Sequence, residues 1–346
     1  MLRRRKKTRK KRIDLRPPQC RPFYKNLESF IVSSQTLMPS KNYKGLVDLC
    51  IQVSRRIEFT QLCFAALIQN TNWRLVKKII IIHDIPKTLN EDTLEEDQKS
   101  REFLKKQMST LVDLGVGVSF IESQTGSVAL CMKYGMRLSD APYFLKIDND
   151  VCVGKNYLER LFETMESYEE LVVLGYSRIW NDNFQKNKII TKDGLGHGYM
   201  KCLSGYEEKQ EMKYNVGGLV MVRMTQELKK QLKNFVCRDI FYGWPTFQIY
   251  YLKDKLGTVG WYWPNIENLI ILDFLKDKEL IEAAGLDYNR LLKLVDKYYE
   301  KGYSRRSKDF ALKSTQKMDD FKYLKESWSA NGAVINKKKR VREWLL

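Results

Sequence analysis

An α/β fold built on a doubly wound, mainly parallel sheet is what this sequence predicts, and three observations carry the prediction. Strand-like apolar runs alternate with helical patterns from residue 29 to residue 168. One of them, "LVKKIIIIHDIP", is a continuous apolar run, as a strand covered on both faces requires. Carboxylates follow two of the strands directly, Asp84 after "IIIIH" and Asp148 and Asp150 after "PYFLKI". Sheets of this kind bind ligands beyond the carboxyl ends of their strands.

Taken in order, residues 1 to 28 are charged and Pro-bearing and read as a tail. "SFIVSSQT" is a short β-rich run ending in small polar residues, the first strand and the loop after it. From about Tyr43 to Asn70, Leu46, Leu49, Val53, Ile57, Leu62, Ala65 and Ala66 recur at helical spacing, which predicts a long helical region with a break near Arg56. "LVKKIIIIHDIP" is the second strand, closed by His83, Asp84 and Pro86. A charged helix spans 91 to 114, and "VGVSFIES" is the third strand. "GSVALCMKYGMRLSDA" has helical periodicity with Gly126 and Ser127 at its entry, and Gly135 fits close packing. "PYFLKI" is the fourth strand and "KNYLERLFETMESY" resumes helix.

Composition bounds the function. The chain has 346 residues and is 43% hydrophobic and 12% aromatic, which suits a folded protein and excludes wholesale disorder. Its net charge of +19 sits mostly at the ends: "RRRKKTRKKR" (3 to 12) holds nine basic residues and "KKKRVR" (337 to 342) five, leaving +5 for everything between. Such blocks are solvated tails, or arms that touch phosphates or anionic lipid without reading bases. The seven cysteines are odd in number and form no C-x-x-C, which predicts a reduced, cytoplasmic protein. With only His83 and His197, neither in ligand spacing with a cysteine, a zinc site is not expected. "IDLRPPQC" follows the basic start where a secretory signal needs an apolar stretch, and no apolar run approaches the roughly 20 residues of a membrane span.

The chemistry centres on "KIDNDV". Residues i and i+2 of a strand leave on the same side, so Asp148 and Asp150 are expected to face one ligand, with Asn149 stabilising the turn. Hard, adjacent oxygens suit Mn²⁺ or Mg²⁺, which keep water and bridge to substrate phosphates. Asp150 is expected to be solvent-facing and a direct ligand, so that Asp150→Ala leaves the fold intact. The competing reading of an isolated Asp-x-Asp is a turn or a weak surface calcium site.

The succession "FIVSS", "KIIIIHD", "VSFIESQTGSVALCMKYGMRLSDAPYFLKIDNDV" and "YNVGGLVMVRM" resembles a family 2 type glycosyltransferase with the glycosyltransferase-A fold, over roughly residues 28 to 265. The resemblance implies that the first strand's end, here Ser33 and Ser34, and Asp84 after the second strand hold the nucleotide. It also implies that Gly126 enters the donor-side helix, that Asp148, Asn149 and Asp150 bind ribose and metal-diphosphate, and that Gly217 and Gly218 shape the acceptor side. The family's acidic pair after Gly-Trp is missing, since Pro245, Thr246 and Phe247 follow Gly243 and Trp244. An inverting transfer needs a base near the acceptor hydroxyl, and Asp239 is the nearest substitute, or else a surface acid at a helix end. Without a base, a retaining route becomes credible. Trp244 is an acceptor candidate, while Trp261 and Trp263 read as core. His197, flanked by glycines, is a third metal ligand, a lid residue or an exposed loop histidine.

The expected organisation is a basic tail (1–28), a glycosyltransferase-A catalytic domain (29–265) and a helical C-terminal extension with a basic end (266–346), which caps the domain or recruits an acceptor. The expected function is metal-dependent transfer of a sugar from a nucleotide diphosphate sugar, a UDP-sugar, to a hydroxyl of a glycan, a protein or a modified nucleic-acid base. Two rivals stand beside it. A nucleotidyltransferase requires a Gly-rich triphosphate loop, which "VSSQTLMPS" lacks. A nucleic-acid-binding protein with a degenerate glycosyltransferase fold fits the basic tails and the missing acids.

Overall fold

The computed structural model describes residues 31–38, 45–85, 91–124, 128–176, 189–192, 197–201, 218–232, 257–263, 270–272, 278–283 and 285–300. The fold class is the α/β arrangement expected from the sequence. A ten-stranded sheet runs in the order β1-β4-β3-β2-β5-β10-β7-β11-β9-β8. Its centre is β2 (Val47–Val53), β3 (Val76–Asp84), β4 (Gly117–Ser123) and β5 (Tyr143–Asp148), all mutually parallel. Antiparallel β10 (Leu219–Arg223) is inserted between β5 and β7 (Leu171–Tyr176), and β11 (Thr258–Trp263) runs parallel to β7. The edges, β1 (Ile31–Leu37) on one side and β9 (Gly198–Lys201) with β8 (Ile189–Thr191) on the other, are antiparallel.

Helices cover both faces, as parallel central strands require. α1 (Ile57–Asn70), α2 (Glu91–Asp113) and α4 (Tyr157–Ser167) supply Phe64, Leu67, Leu104, Met108, Leu111, Leu158 and Leu161 to a core with Leu49, Ile51, Ile79, Ile81 and Leu145. α3 (Val128–Leu138) lies on the other face, against β2 and in contact with α5 (Gln226–Leu232). Close packing explains Gly135: a Cβ there would sit 2.7 Å from Cys50 Sγ and 3.4 Å from Phe144 Cζ.

One prediction fails in an informative way. Residues 47–53, assigned to a helix starting near Tyr43, form the central parallel strand β2, and the helix begins only at Ile57. "VDLCIQV" is buried throughout, so its apolar positions fit a helical stripe and a two-sided strand equally well. Asp48, one of two polar residues in the run, is fully buried and accepts hydrogen bonds from Ser139 Oγ (2.9 Å) and the amides of Asp140 (3.0 Å) and Ala141 (3.1 Å). The first strand expected from the sequence is present as β1, and it lies at the edge of the sheet, antiparallel to β4.

The C-terminal region folds back on this body. β12 (Ile270–Ile271) pairs antiparallel with β6 (Val151–Cys152), so the extension expected to be helical over 266–346 contributes a short strand as well. α6 (Lys278–Ala283) and α7 (Tyr288–Glu300) then build a second apolar cluster in which Ile281, Leu291, Val295 and Tyr298 meet Phe59 and Cys152. Lys297 Nζ binds Glu58 Oε1 at 2.5 Å, and Tyr298 donates its hydroxyl to the other Glu58 oxygen. Among the described residues, no helix is long and apolar enough to cross a membrane.

Candidate active site

Strand register alone brings a row of polar groups to the carboxyl ends of the parallel strands. Ser123 is paired with Asp84, and Gln52 with Asp148. Asp84 is buried, accepting from Ser123 Oγ at 2.9 Å and from Gln52 Nε2 at 3.4 Å. Gln52 Oε1 is buried and has no hydrogen-bond partner among the described residues, a cost of about 1–3 kcal/mol that a donor from ligand or water would relieve.

Asp148 closes β5, and its side chain is 33% exposed. Its amide donates to the carbonyl of Gly218 at 2.8 Å, and Gly218 holds φ at +76°, a left-handed conformation that favours glycine. The Gly-Gly segment is thus tied to the acidic turn through its second member, while Gly217 lies outside the described residues. Lys146, two residues upstream on the same face, is buried and ion-pairs with Asp148. A buried ammonium needs such a partner.

Asp150 is not solvent-facing as expected. Its side chain is 8% exposed and lies under Arg56, with Nη1 to Oδ2 at 3.3 Å. The reason is the turn that follows β5: β6 starts at Val151 and is clamped by β12, and the Leu272 amide donates to the Asp150 carbonyl at 2.7 Å. Asn149 does stabilise the turn. Its Oδ1 accepts from Arg56 Nη2 at 2.8 Å, and its Nδ2 donates to Thr60 Oγ1 at 3.0 Å and to the Arg55 carbonyl at 3.5 Å. The Cys63 thiol faces the Asp148 carbonyl at 3.6 Å, and burial pushes its pKa well above the ordinary thiol value.

Other residues singled out from the sequence lie elsewhere. Ser33 and Ser34 are exposed on β1, four strands from β5 in the sheet order, a separation of about 19 Å at about 4.8 Å per strand. Ser33 Oγ donates to Glu122 Oε2 at 2.6 Å, in a cluster where Arg101 Nε lies 2.7 Å from Glu122 and His83 Nε2 lies 3.0 Å from Asp97. The loop beside Asp148 and Asp150 is therefore the one after β2, residues Ser54 to Arg56. His197 is no exposed loop residue: its side chain is 14% exposed, its Nδ1 is 3.0 Å from Thr164 Oγ1 and its ring stacks on Tyr262. Among the described residues, no group of three or more His, Cys, Asp or Glu is arranged to hold a metal. Gly126, Asp239, Gly243, Trp244 and both basic tails lie outside the described residues, as do the side chains of Trp261 and Trp263.

Sequence reasoning missed Arg56, Lys146 and Gln52. Lys146 carried a legible signal, since a lysine two residues before Asp148 in an apolar strand shares its face. Arg56 and Gln52 were hidden by the helical reading of 43 to 70.

No protein-family profile matches the chain, and no curated protein sequence does. Among solved structures the chain is similar to S. aureus TarS 1–349, at 11% identity over 82% of this chain and 79% of that one, with a TM-score of 0.42. The complex of TarS 1–349 with UDP gives 13% identity, 84% and 81% coverage and a TM-score of 0.35. The complex with UDP-GlcNAc gives 12%, 82% and 80%, and 0.38. At such identities and TM-scores, the chemistry of the site rests on this chain's own residues.

Proposed function

We propose that this protein is a glycosyltransferase that moves a sugar from a nucleotide diphosphate sugar, a UDP-sugar, to an acceptor hydroxyl, with Mn²⁺ or Mg²⁺ as cofactor. The observation that carries the reading is the meeting of Asp84, Gln52, Asp148 and Asp150 at the carboxyl mouth of the parallel core, with the Gly218 carbonyl beside Asp148.

The donor set fits a small divalent cation. Mg²⁺ and Mn²⁺ are held by one or two carboxylates, the rest of their shell being water and substrate phosphate, so a third protein ligand is not required. Asp148 would present an oxygen directly, and Asp150 would join once Arg56 moves aside. An ion bound there would supply neutralisation of the charge on a departing diphosphate. The chain's own groups do the remainder. Asp84 and the unpartnered Gln52 oxygen accept hydrogen bonds from the nucleoside, Lys146 fixes the Asp148 carboxylate, and Gly218 leaves room on the acceptor side. Stabilisation of charge on the departing diphosphate is the main catalytic contribution. Asp239 is the candidate base for an inverting transfer, Trp244 the candidate acceptor-stacking residue, and Gly217 with Gly218 the candidate segment shaping the acceptor side. A glycan or protein hydroxyl is favoured over a nucleic-acid base, because the body outside the tails carries only +5.

The test is a panel of nucleotide sugars with Mn²⁺, scored for nucleoside diphosphate release and repeated with chelator. Release from a UDP-sugar that stops with chelator is expected. No release from any donor, together with salt-sensitive polynucleotide binding, would overturn the reading in favour of a nucleic-acid-binding protein.

A further inference from the structure

The loop between β2 and α1 holds two successive non-glycine residues in the left-handed region, Arg55 at φ 58° and Arg56 at φ 54°. Such residues persist where the surroundings over-determine them, and they gather at sites that switch. Here the constraint is visible. Arg56 forks onto the acidic turn with one nitrogen on Asp150 (3.3 Å) and another on Asn149 (2.8 Å), and Asn149 reaches back to the Arg55 carbonyl and Thr60. The guanidinium is also 5.8 Å from the centre of the Phe59 ring, which packs edge-on against Tyr298 of α7. The loop and the acidic turn thus meet at one arginine, with the Phe59 ring between it and α7.

Resting on the reading above, we propose that Arg56 is a latch that makes metal binding at Asp148 and Asp150 conditional on the nucleotide diphosphate. With Asp150 only 8% exposed beneath the guanidinium, a divalent cation cannot use that carboxylate while Arg56 holds it, and two cations sharing one carboxylate repel. Metal alone must therefore displace Arg56 into water. A diphosphate changes the balance, because its oxygens receive the released guanidinium in the two-pronged geometry arginine favours. Arg56 then leaves one anion only to meet another, and the ion takes its place on Asp150. Metal and nucleotide bind with positive coupling, which is reciprocal. Arg56 is a positioning residue in this scheme.

The experiment is Mn²⁺ binding followed by the paramagnetic resonance of free Mn²⁺, with and without UDP, in the unaltered protein, Arg56→Gln and Arg56→Lys. Removing the competing charge is expected to tighten Mn²⁺ binding without UDP about tenfold in Arg56→Gln, and to shrink the enhancement by UDP by a similar factor. Arg56→Lys keeps a charge but loses the fork, so it gives an intermediate gain of about threefold and remains informative should the glutamine variant not fold. Unchanged or weaker Mn²⁺ binding without UDP, in whichever variant is folded by circular dichroism, overturns the latch. Absence of Mn²⁺ binding in every protein while UDP binds removes the metal site and the latch with it. Failure of UDP itself to bind overturns the donor reading.

Discussion

Replacing Asp150 by alanine tests the site as a piece of structure before it tests catalysis. The sequence alone expected a solvent-facing carboxylate whose loss leaves the fold intact, whereas the ion pair with Arg56 has a side chain 8% exposed on one partner and 15% on the other. At 3.3 Å and an effective dielectric of about 20, the attraction is roughly 5 kcal/mol before desolvation is subtracted. Removing one partner of a fully buried pair costs about 3–5 kcal/mol, because the other is left uncompensated. Arg56 has a long, 15% exposed side chain that can turn to water, so the cost falls just below that range, about 2–3 kcal/mol. For a folded body of this size that is a fall in Tm of roughly 5–10 °C. The assay is thermal unfolding by circular dichroism of the parent, Asp150→Ala, Arg56→Met and the double variant. The double variant is expected to be less destabilised than the sum of the singles by at least about 1 kcal/mol. A Tm for Asp150→Ala within about 1 °C of the parent, or effects that add across the cycle, would show that the pair does not hold the turn.

Two further outcomes follow from the packing and charge of the body. Gly135→Ala places a Cβ 2.7 Å from Cys50 Sγ; overpacking of about 1–3 kcal/mol outweighs the roughly 1 kcal/mol gained in helix propensity, so urea unfolding shifts to lower denaturant, and Cys50→Ala in the same chain restores it. A stabilised Gly135→Ala would refute the contact. Burial raises the pKa of Asp140, but hydrogen bonds from Lys77 (2.8 Å) and Lys78 (2.9 Å) outweigh it and hold the carboxyl below its ordinary range. Its contribution is present above the unfolded value near about 3.9 and is lost as pH falls toward the folded one. Because Asp140 is 59% exposed, the effect stays within about 0.2–1 kcal/mol. The Tm gap between the parent and Asp140→Asn is expected to hold from pH 7 to 5 and to narrow below about pH 4; a gap constant down to pH 3 would count against it.

What the sequence determined by itself was whatever a local pattern encodes without competition. "KKIIIIHD" is too continuous and β-branched for anything but a strand buried on both faces. Leu104, Met108 and Leu111 fall on one stripe of α2, and "KNYLERLFETMESY" repeats that pattern in α4. The carboxylates of Asp84, Asp148 and Asp150 had to lie near strand ends, since each follows an apolar run directly. Tertiary structure decided the rest, because the deciding contacts are distant in sequence. Whether "VDLCIQV" is strand or helix depends on an opening between β3 and β5 that local spacing does not record. Edge and centre are likewise indistinguishable in a short run, so "SFIVSSQT" is legible as the first strand but its place at the antiparallel edge is not. The state of Asp150 was decided by two segments about a hundred residues away on either side, Arg56 before it and Leu272 after it. A carboxylate's exposure is fixed by what packs over it, and an isolated Asp-x-Asp carries no trace of its cover.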